Sequence, residues 1–251
     1  MAIILKSARE IAAMRKAGII VATVLAEIEI AVRPGITTKA IDEIAERIVS
    51  GHDARASFKG LYGFPASICI SINEEVVHGI PSPERVLREG DIVSLDFGAI
   101  VDEFNADAAV SLPVGAVGEP ARRILQCGRT ALQRGIAQAR DGNRLGDISW
   151  AIQSYGEAKG YGIVRQYVGH GIGRKLHEDP QVPNFGPPAR SVALRPGMTL
   201  AIEPMLNGGT ERTTVLADNW TVVTEDRALS VHFEHTIAIT EGDPVILTAP
   251  E

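Results

Sequence analysis

The chain has 251 residues, a formal net charge of −6 and 45% hydrophobic residues, which suits one large globular domain or two closely joined halves. The acidic balance argues against a protein that holds nucleic acid by its phosphates. Two cysteines without a Cys-x-x-Cys pair exclude a disulfide framework, so a reducing cytoplasm is expected. The N-terminus lacks the apolar core of a signal peptide, and no run reaches the roughly 18 apolar residues of a membrane span.

Two helices are predicted at the start of the chain. Ser7-Ala8-Arg9-Glu10 is a capping box, and apolar residues then recur at alternating spacings of three and four until Pro34-Gly35. Thr37 or Thr38 can cap a second helix. Both helices are expected to pack one face against a sheet.

A glycine-interrupted apolar loop follows the second helix. Phe58, Leu61, Tyr62, Phe64 and Pro65 lie in this loop, ahead of a predicted strand over Ser67–Ile72. Small and aromatic residues leading into a strand can wall an apolar pocket. Ordinary core packing explains any single one of them equally well.

Residues 87–107 predict a β-hairpin with two acidic residues. Asp96 interrupts an apolar run, Asp102-Glu103 marks a turn, and Asp107 follows in the second strand. With a two-residue loop, the residue numbers of two opposed positions always sum to an odd number. Because 96 is even and 107 is odd, Asp96 and Asp107 lie on the same face of the pair. Adjacent carboxylates repel each other and are costly to bury, which predicts a cation between them.

The second acidic strand comes 107 residues after the first. Leu87-Arg88-Glu89-Gly90 is echoed by Leu194-Arg195-Pro196-Gly197, and an acid stands six residues after each glycine, Asp96 in one case and Glu203 in the other. A repeat of this length is no solenoid period. It indicates two related halves that each place one carboxylate at a shared centre.

The same offset joins two helical units. The turn Pro34-Gly35 recurs as Asp141-Gly142, and the apolar faces of the helices after these turns also match. A helix is predicted before the second turn, starting at Glu119-Pro120. We therefore expect two α/β halves, about residues 1–110 and 111–251, with helices outside and a site where the sheet halves meet.

A glycine-rich segment, Gly169-His170-Gly171-Ile172-Gly173, lies in the second half. Its G-x-G-x-G spacing, with Pro180 close behind, does not suit a dinucleotide loop, which must open a helix. We interpret the glycines as letting the backbone bend so that His170 reaches a crowded centre. His177 precedes Pro180 by three residues, as His78 precedes Pro81, so these two histidines are another repeat-related pair.

The last predicted strand pair carries Phe233-Glu234-His235. Alternation places Glu234 on the opposite face from Phe233 and His235. His52, His232 and His235 have no counterpart in the other half, and they are interpreted as structural.

Four carboxylates and one imidazole form the candidate metal centre: Asp96, Asp107, His170, Glu203 and Glu234. This set exceeds what one divalent ion needs and suits two ions about 3.5–4 Å apart, with bridging carboxylates. Oxygen donors with one nitrogen and no thiolate favour Mn, Fe(II), Co or Zn in a catalytic role over a structural zinc. Metal-assisted hydrolysis of an amide or ester is the expected reaction class.

Three residues have expected roles beyond holding metal. His78 and His177 lie outside the ligand set and can hydrogen-bond a substrate carbonyl and a developing oxyanion. A ligand carboxylate, with Glu203 as the best candidate, can carry a proton to the leaving amine.

The ordered motifs closely resemble those of the type I methionine aminopeptidases over nearly the whole chain. They are Val77-His78-Gly79-Ile80-Pro81, Asp96 with Asp107, Gly169-His170-Gly171-Ile172-Gly173, Ile202-Glu203-Pro204-Met205 and Glu234-His235-Thr236. The resemblance implies an α+β pita-bread fold, in which duplicated halves related by a pseudo-twofold axis form a curved antiparallel sheet with outer helices. It also implies one catalytic domain over residues 1–251.

The resemblance further implies a dinuclear metal centre that removes the initiator methionine from nascent chains with a small second residue. Such an enzyme is expected to act as a cytoplasmic monomer on polypeptides emerging at the ribosome. By the family's pattern, Asp96 chelates one ion, Asp107 and Glu234 bridge, and His170 and Glu203 bind the other.

Family positions around the substrate also map onto this chain. His78 and His177 match residues that contact the substrate and transition state. The methionine pocket maps onto Phe58, Leu61, Phe64, Cys69 and Trp220.

This chain departs from the family pattern at several positions. Cys, Tyr and Tyr are frequent where Phe58, Leu61 and Phe64 stand, an aromatic is common at Leu176, and His is frequent at Asn105. The turn Asp102-Glu103 lacks the usual Gly. These changes keep the pocket apolar, so they bear on its shape and side-chain preference and leave the chemistry unaltered.

Two other functions stay open. A prolidase or proline-specific aminopeptidase of the same fold generally carries an extra N-terminal domain, whereas here the pattern begins almost at residue 1. A non-catalytic binding module of this fold loses ligands, whereas all five are present here. The type II methionine enzymes have a helical insertion, for which there is no room between His177 and Glu203.

Overall fold

The fold is that of a computed structural model, which describes residues 3–250. Within this range four α-helices surround strands in three sheets. The helices are α1 (Ala8–Ala31), α2 (Thr38–Ser50), α3 (Glu119–Ala137) and α4 (Leu145–Ala158). The strands are β1 (Arg55–Ala56), β2 (Cys69–Ile72), β3 (Glu75–Val77), β4 (Ile92–Val101), β5 (Phe104–Pro113), β6 (Gly162–Ile163), β7 (Gly169–Gly171), β8 (Glu178–Val182), β9 (Thr199–Ile202), β10 (Met205–Asn207), β11 (Thr213–Val215), β12 (Val222–Thr224), β13 (Ser230–His232), β14 (Glu234–Ala238) and β15 (Val245–Ile246).

The helix boundaries follow the capping signals. Ser7 caps α1, where its hydroxyl accepts from the backbone N–H of Glu10 while the Glu10 carboxylate accepts from the Ser7 N–H. Thr37 caps α2 by accepting from the Ala40 N–H, and Gly51 ends that helix. The predicted helix starts at Ser7, at Thr37 and at Glu119 are therefore confirmed.

The main sheet has nine strands and is antiparallel at every pairing within it. Its central order is β4-β5-β14-β9-β7, with β1 and β2 pairing on β4, β8 on β7 and β15 on β14. The hairpin β4–β5 turns at Asp102-Glu103, where both residues adopt positive φ without a glycine. This is the two-residue loop that the hairpin prediction required.

The duplication is visible as the same backbone contacts made twice. The Gly35 N–H donates to the Leu87 carbonyl over 2.8 Å, and 107 residues later the Gly142 N–H donates to the Leu194 carbonyl over 3.3 Å. The isolated bridge from Thr37 to Val86 likewise recurs between residues 144 and 193. The inferred repeat is therefore a structural one.

Each half packs its helix pair against the sheet through its own apolar cluster. In the first half, Val21, Ile28 and Ile41 on the helices meet Leu95 and other residues of β4. In the second half, residues 121–152 of α3 and α4 meet residues 200–206 and 231–239. The helices thus cover one face of the sheet and leave the other face for the site.

Two smaller sheets complete the fold. One consists of β11, β12 and β3, and it delivers the chain to His78. The other consists of β13, β10 and β6. Among residues 3–250, no helix combines the length and apolar character needed to cross a bilayer.

Candidate metal centre

The five predicted ligands come from five consecutive strands of the main sheet. Across the order β4-β5-β14-β9-β7, each strand or its end contributes one group. In that order the groups are Asp96, Asp107, Glu234, Glu203 and His170. Residues far apart in sequence therefore converge because their strands are neighbours.

The hairpin register places the two aspartates on one face, as predicted. Asp96 lies opposite Ala109 and Asp107 lies opposite Gly98, so both side chains project from the same side of the pair. The Thr236 hydroxyl lies 3.1 Å from Asp107 Oδ1 and also accepts from the Asp107 N–H over 3.0 Å. These contacts from β14 hold Asp107 in place.

The second-half acids are held on neighbouring strands. Glu234 begins β14 opposite Ala109, and Glu203 directly follows β9. The fully buried Asn184 donates from its amide to the Glu203 carbonyl over 3.0 Å. The backbone that carries Glu203 is therefore fixed by a side chain from the loop after β8.

His170 is oriented by its own backbone environment. Its Nδ1 lies 2.9 Å from the Gly171 carbonyl, so Nδ1–H donates there and Nε2 is left with a lone pair. A Cβ at Gly171 would come within 2.2 Å of the Asp179 carbonyl oxygen, which explains why glycine is needed beside the histidine. Nε2 lies 3.7 Å from Asp107 Oδ2 and 3.6 Å from Glu203 Oε1.

These distances fit ligands of one ion better than hydrogen bonds. An N–H···O hydrogen bond spans about 2.7–3.2 Å, whereas two ligands bound at about 2.1 Å to one ion lie further apart. Ligand atoms of Asp107, His170 and Glu234 all fall within 4.8 Å of one another. Together with Glu203, they form a ready-made cradle for a divalent cation.

The charges of the centre also call for a cation. Burial raises the pKa of Asp107 to about 6. Burial, and then repulsion among the carboxylates, holds the pKa values of Asp96, Glu203 and Glu234 well above their usual range. Asp96 Oδ1 and Glu234 Oε1 are buried without a hydrogen-bond partner in the part of the chain that is described. Buried carboxylates of this kind fit metal ligation, which supplies the missing positive charge.

His78 and His177 flank the carboxylates without joining them. His78 has a positive φ of 62°, a conformation that is unusual for a side chain with a Cβ and that clusters at functional sites. The His177 ring meets the His170 ring edge-on, with 4.6 Å between their centroids. Burial lowers the pKa of both His78, to about 4, and His177, so both rings are neutral at neutral pH.

An apolar pocket opens beside the metal centre. Its volume is about 250 Å³, and its apolar lining is Phe58, Leu61, Tyr62, Phe64, Cys69, Leu176 and Trp220. Phe64 and Trp220 pack edge to face, with 5.1 Å between ring centroids. The pocket is smaller than the roughly 300–1,000 Å³ of sites that hold whole drug-sized ligands, so it suits one side chain. All five residues predicted to line a substrate pocket lie on it.

A wider cleft leads to this pocket. Its volume is about 750 Å³, and it shares Tyr62, His78 and His177 with the pocket. Tyr62 was placed by the sequence in the apolar loop but not among the substrate-binding residues, and it lies 80% exposed at the junction, parallel to the His177 ring at 6.4 Å. The sequence predicts this loop but does not show which of its side chains reaches the cleft.

His232 is the second residue that sequence reasoning missed. It was interpreted as structural, but its Nε2 lies 3.7 Å from Glu203 Oε2 and 3.9 Å from Glu234 Oε2. No repeat-related partner marks this histidine in the sequence. His235 does face away, with Nδ1 2.8 Å from the Thr248 hydroxyl.

The departures from the family pattern have local explanations. The Asn105 amide donates over 3.1 Å to the carbonyls of Gly173 and Arg174, and its oxygen accepts from the Ser57 hydroxyl. It thereby ties β5 to the loop that carries His177. Leu176 is buried in the pocket lining, so the substitution keeps an apolar wall.

Comparisons with known proteins agree with this geometry. The model of metallopeptidase family M24 matches residues 12–241. Methionine aminopeptidase 1 of Bacillus subtilis is 50% identical over 98% of this chain and 99% of its own length. A methionine aminopeptidase of Clostridium perfringens is 52% identical over 98% of both.

Solved structures show the same architecture. The crystal structure of methionine aminopeptidase from Thermotoga maritima matches with a TM-score of 0.98 at 45% identity, covering 99% of this chain and 100% of that one. The prolidase of Pyrococcus horikoshii matches with a TM-score of 0.80 at 23% identity, and this chain spans 64% of it, so that likeness concerns the fold alone.

The expected pita-bread fold and the resemblance to type I methionine aminopeptidases are thus confirmed. The buried cluster and the family match also support the use of a divalent metal. The chain belongs to metallopeptidase family M24 and, within it, to the methionine aminopeptidases.

Proposed function

We propose that this chain removes the N-terminal methionine from polypeptides with a small second residue, using two divalent ions. One observation carries the proposal: four carboxylates, two of them buried, and an imidazole line one end of a small apolar pocket. The pocket takes one side chain, and the centre lies where the following peptide bond would be. The names of the similar proteins support methionine as the side chain that is taken.

Five side chains would hold the ions. Asp96 would chelate one, Asp107 and Glu234 would bridge, and His170 with Glu203 would complete the other. The number of lone pairs supports two ions, because one ion leaves buried oxygens such as Asp96 Oδ1 without a partner. The donor types suit Mn, Fe(II), Co or Zn. When bound, such a pair supplies activated water and polarises the scissile carbonyl.

The remaining steps belong to the protein's own side chains. His78 and His177, both uncharged at neutral pH, would donate hydrogen bonds to the substrate carbonyl oxygen and to the developing oxyanion. Glu203 would take a proton from the attacking water and pass it to the leaving amine.

Substrate selection would combine the pocket and its entrance. Phe64 and Trp220 form a rigid aromatic wall for the methionine side chain. At the entrance, the parallel rings of Tyr62 and His177 lie 6.4 Å apart, where the second residue would pass. These two rings would disfavour a bulky second residue.

The test is methionine release by metal-free protein reloaded with one metal at a time. Peptides Met-Ala-Ser and Met-Trp-Ser vary the second residue, and Leu-Ala-Ser varies the first. We expect release from Met-Ala-Ser with at least one of the four metals and at least tenfold slower release from the other two. Absence of methionine release with all four metals would refute the proposal.

The same experiment separates the alternatives. A prolidase-like activity predicts cleavage of Xaa-Pro dipeptides in place of Met-Ala-Ser. A binding module predicts that Asp96→Asn leaves peptide binding unchanged and that no peptide is cleaved. Titration of the metal content during reloading also gives the number of ions.

We extend the proposal to the cellular setting. The substrates would be nascent chains at the ribosome, and the protein would act in the cytoplasm as a monomer with residues 1–251 as one catalytic domain.

A further inference from the structure

A second imidazole faces the candidate metal centre. His232 is 2% exposed at the end of β13, and its Nε2 has no hydrogen-bond partner in the described part of the chain. This nitrogen points at two acceptors, Glu203 Oε2 at 3.7 Å and Glu234 Oε2 at 3.9 Å. A buried ring nitrogen aimed at carboxylates and bonded to neither requires an explanation.

Glu203 lies between two imidazoles that approach its different oxygens. His170 Nε2 is 3.6 Å from Oε1, and His232 Nε2 is 3.7 Å from Oε2. His170 directs a lone pair at the centre because its Nδ1–H is engaged by the Gly171 carbonyl. His232 Nε2, in contrast, faces two carboxylate oxygens, Glu203 Oε2 and Glu234 Oε2, and is placed to donate a hydrogen bond to one of them.

The backbone around His232 is rigid. Its N–H donates to the Ser111 hydroxyl over 2.8 Å, and that hydroxyl donates to the His232 carbonyl over 2.9 Å. His232 also pairs with Met205 across β13 and β10. The Glu203 side chain, in contrast, is 14% exposed and has more rotatable bonds than the side chain of His232. A shift of about 0.8 Å by that carboxylate brings the 3.7 Å separation to a normal hydrogen bond of about 2.9 Å.

We propose that His232 is a positioning residue of the metal centre, which donates from Nε2–H to Glu203 Oε2 and thereby turns Oε1 toward the ion beside His170. This inference rests on the proposed function insofar as Glu203 holds an ion. Hydrogen bonds to metal-ligating groups fix their orientation, and losing one commonly weakens metal binding by about 10–100-fold. The bond also leaves Glu203 with one defined oxygen for the ion.

Two substitutions test whether His232 acts as a hydrogen-bond donor or only fills space. His232→Gln keeps an N–H donor near the position of Nε2, whereas His232→Leu keeps the bulk and removes the donor. The readout is the dissociation constant for Mn and for Co, measured by calorimetry, and the absorption spectrum of the Co-loaded protein. Neither readout depends on peptide cleavage.

We expect His232→Leu to weaken binding of one ion by about 10–100-fold and to alter the Co spectrum. His232→Gln should stay within about threefold of the unmodified protein, since an amide N–H restores most of an imidazole N–H bond. If the Leu variant binds metal like the unmodified protein, or the Gln variant binds as weakly as the Leu variant, the inference is wrong. The second result would indicate that His232 coordinates the ion itself.

A double substitution distinguishes an effect through Glu203 from a general effect of His232→Leu on folding. In a Glu203→Gln background, His232→Leu should weaken metal binding by less than about twofold, because a residue that acts through Glu203 has nothing left to orient. An undiminished effect in that background would also refute the role. Should the Leu variant not fold, His232→Asn replaces it, because its shorter amide cannot reach Glu203.

His235→Gln is the matched control. It removes a buried histidine three residues away whose ring lies on the other side of β14, near Thr248. We expect it to leave both metal dissociation constants unchanged. If the unmodified protein binds no divalent ion at all, the proposed function fails together with this inference. If the unmodified protein, His235→Gln and His232→Leu all bind metal equally well, only the role of His232 is refuted.

Discussion

The substitution Asp107→Asn should stabilise the metal-free protein, although it removes a proposed bridging ligand. Asp107 is 3% exposed, and burial raises its pKa from 3.8 to about 6. The folded protein therefore binds this proton more tightly than the unfolded chain. The contribution of Asp107 to stability is therefore most favourable below about pH 4, falls as the pH rises toward about 6, and then stays level.

The size of the effect follows from the two pKa values. A rise from 3.8 to about 6 destabilises the folded state by about 1.5 kcal/mol at pH 5 and about 3 kcal/mol at pH 8. Asn has no charge and keeps the oxygen that accepts from Thr236, but its amide N–H₂ lacks a partner, which costs about 1 kcal/mol. The net gain is about 2 kcal/mol at pH 8 and about 0.5 kcal/mol at pH 5.

Thermal unfolding in chelator measures this gain. For a chain of this length, about 2 kcal/mol corresponds to a rise in Tm of about 4–8 °C at pH 8, with about 1–2 °C at pH 5. Added metal should reverse the order of the two Tm values. Metal at 100 times its Kd adds about 2.7 kcal/mol to the stability of the unmodified protein and less to that of a variant that binds it poorly.

A matched control and a clear refutation are available. Asp42 is a buried aspartate that pairs with Lys39 and accepts from the Ser67 N–H, so Asp42→Asn should lower Tm in chelator. If Asp107→Asn unfolds at a lower temperature than the unmodified protein at pH 8 without metal, or if the difference is the same at pH 5, then Asp107 is not a strained, uncompensated charge.

Three further outcomes are expected. His78→Ala should lower kcat by about 10²–10³ with metal content unchanged, as loss of an oxyanion donor does; metal analysis beside kinetics checks this, and a metal-free variant contradicts it. Trp220→Ala should raise KM for Met-Ala-Ser and admit larger first residues, because it removes one aromatic wall; unchanged selectivity across a peptide series contradicts it. Gly171→Ala should lower Tm and metal affinity together, since its Cβ would meet the Asp179 carbonyl oxygen at 2.2 Å; a variant that melts and binds metal normally contradicts it.

Several features of the fold were predictable because they are local or repeated. Alternation along β4 and β5 with a two-residue turn placed Asp96 and Asp107 on one face, and the register confirms it. The 107-residue offset predicted matched halves, and the bonds of Gly35 and Gly142 to equivalent carbonyls confirm that prediction. Helix starts followed from capping residues such as Ser7, whose bonds span three residues.

Other features depend on contacts that no local pattern encodes. The neighbouring positions of Asp107 and Glu234 exist because β14 lies between β5 and β9, a pairing of segments over 120 residues apart. Tyr62 and His232 lie next to residues that pack into apolar clusters. Only the folded chain shows that the side chains of Tyr62 and His232 face the cleft.

The sequence by itself therefore determined the duplication, the hairpin register and the set of candidate metal ligands, because periodicity and spacing can be read along the chain. Only the tertiary structure decided the order of the five ligand strands, the shape of the pocket and the second imidazole at Glu203. The physical reason is that strand order and side-chain direction at a shared centre are set by the packing of both halves together. His232 reaches Glu203 through such packing, although 29 positions separate them in the sequence.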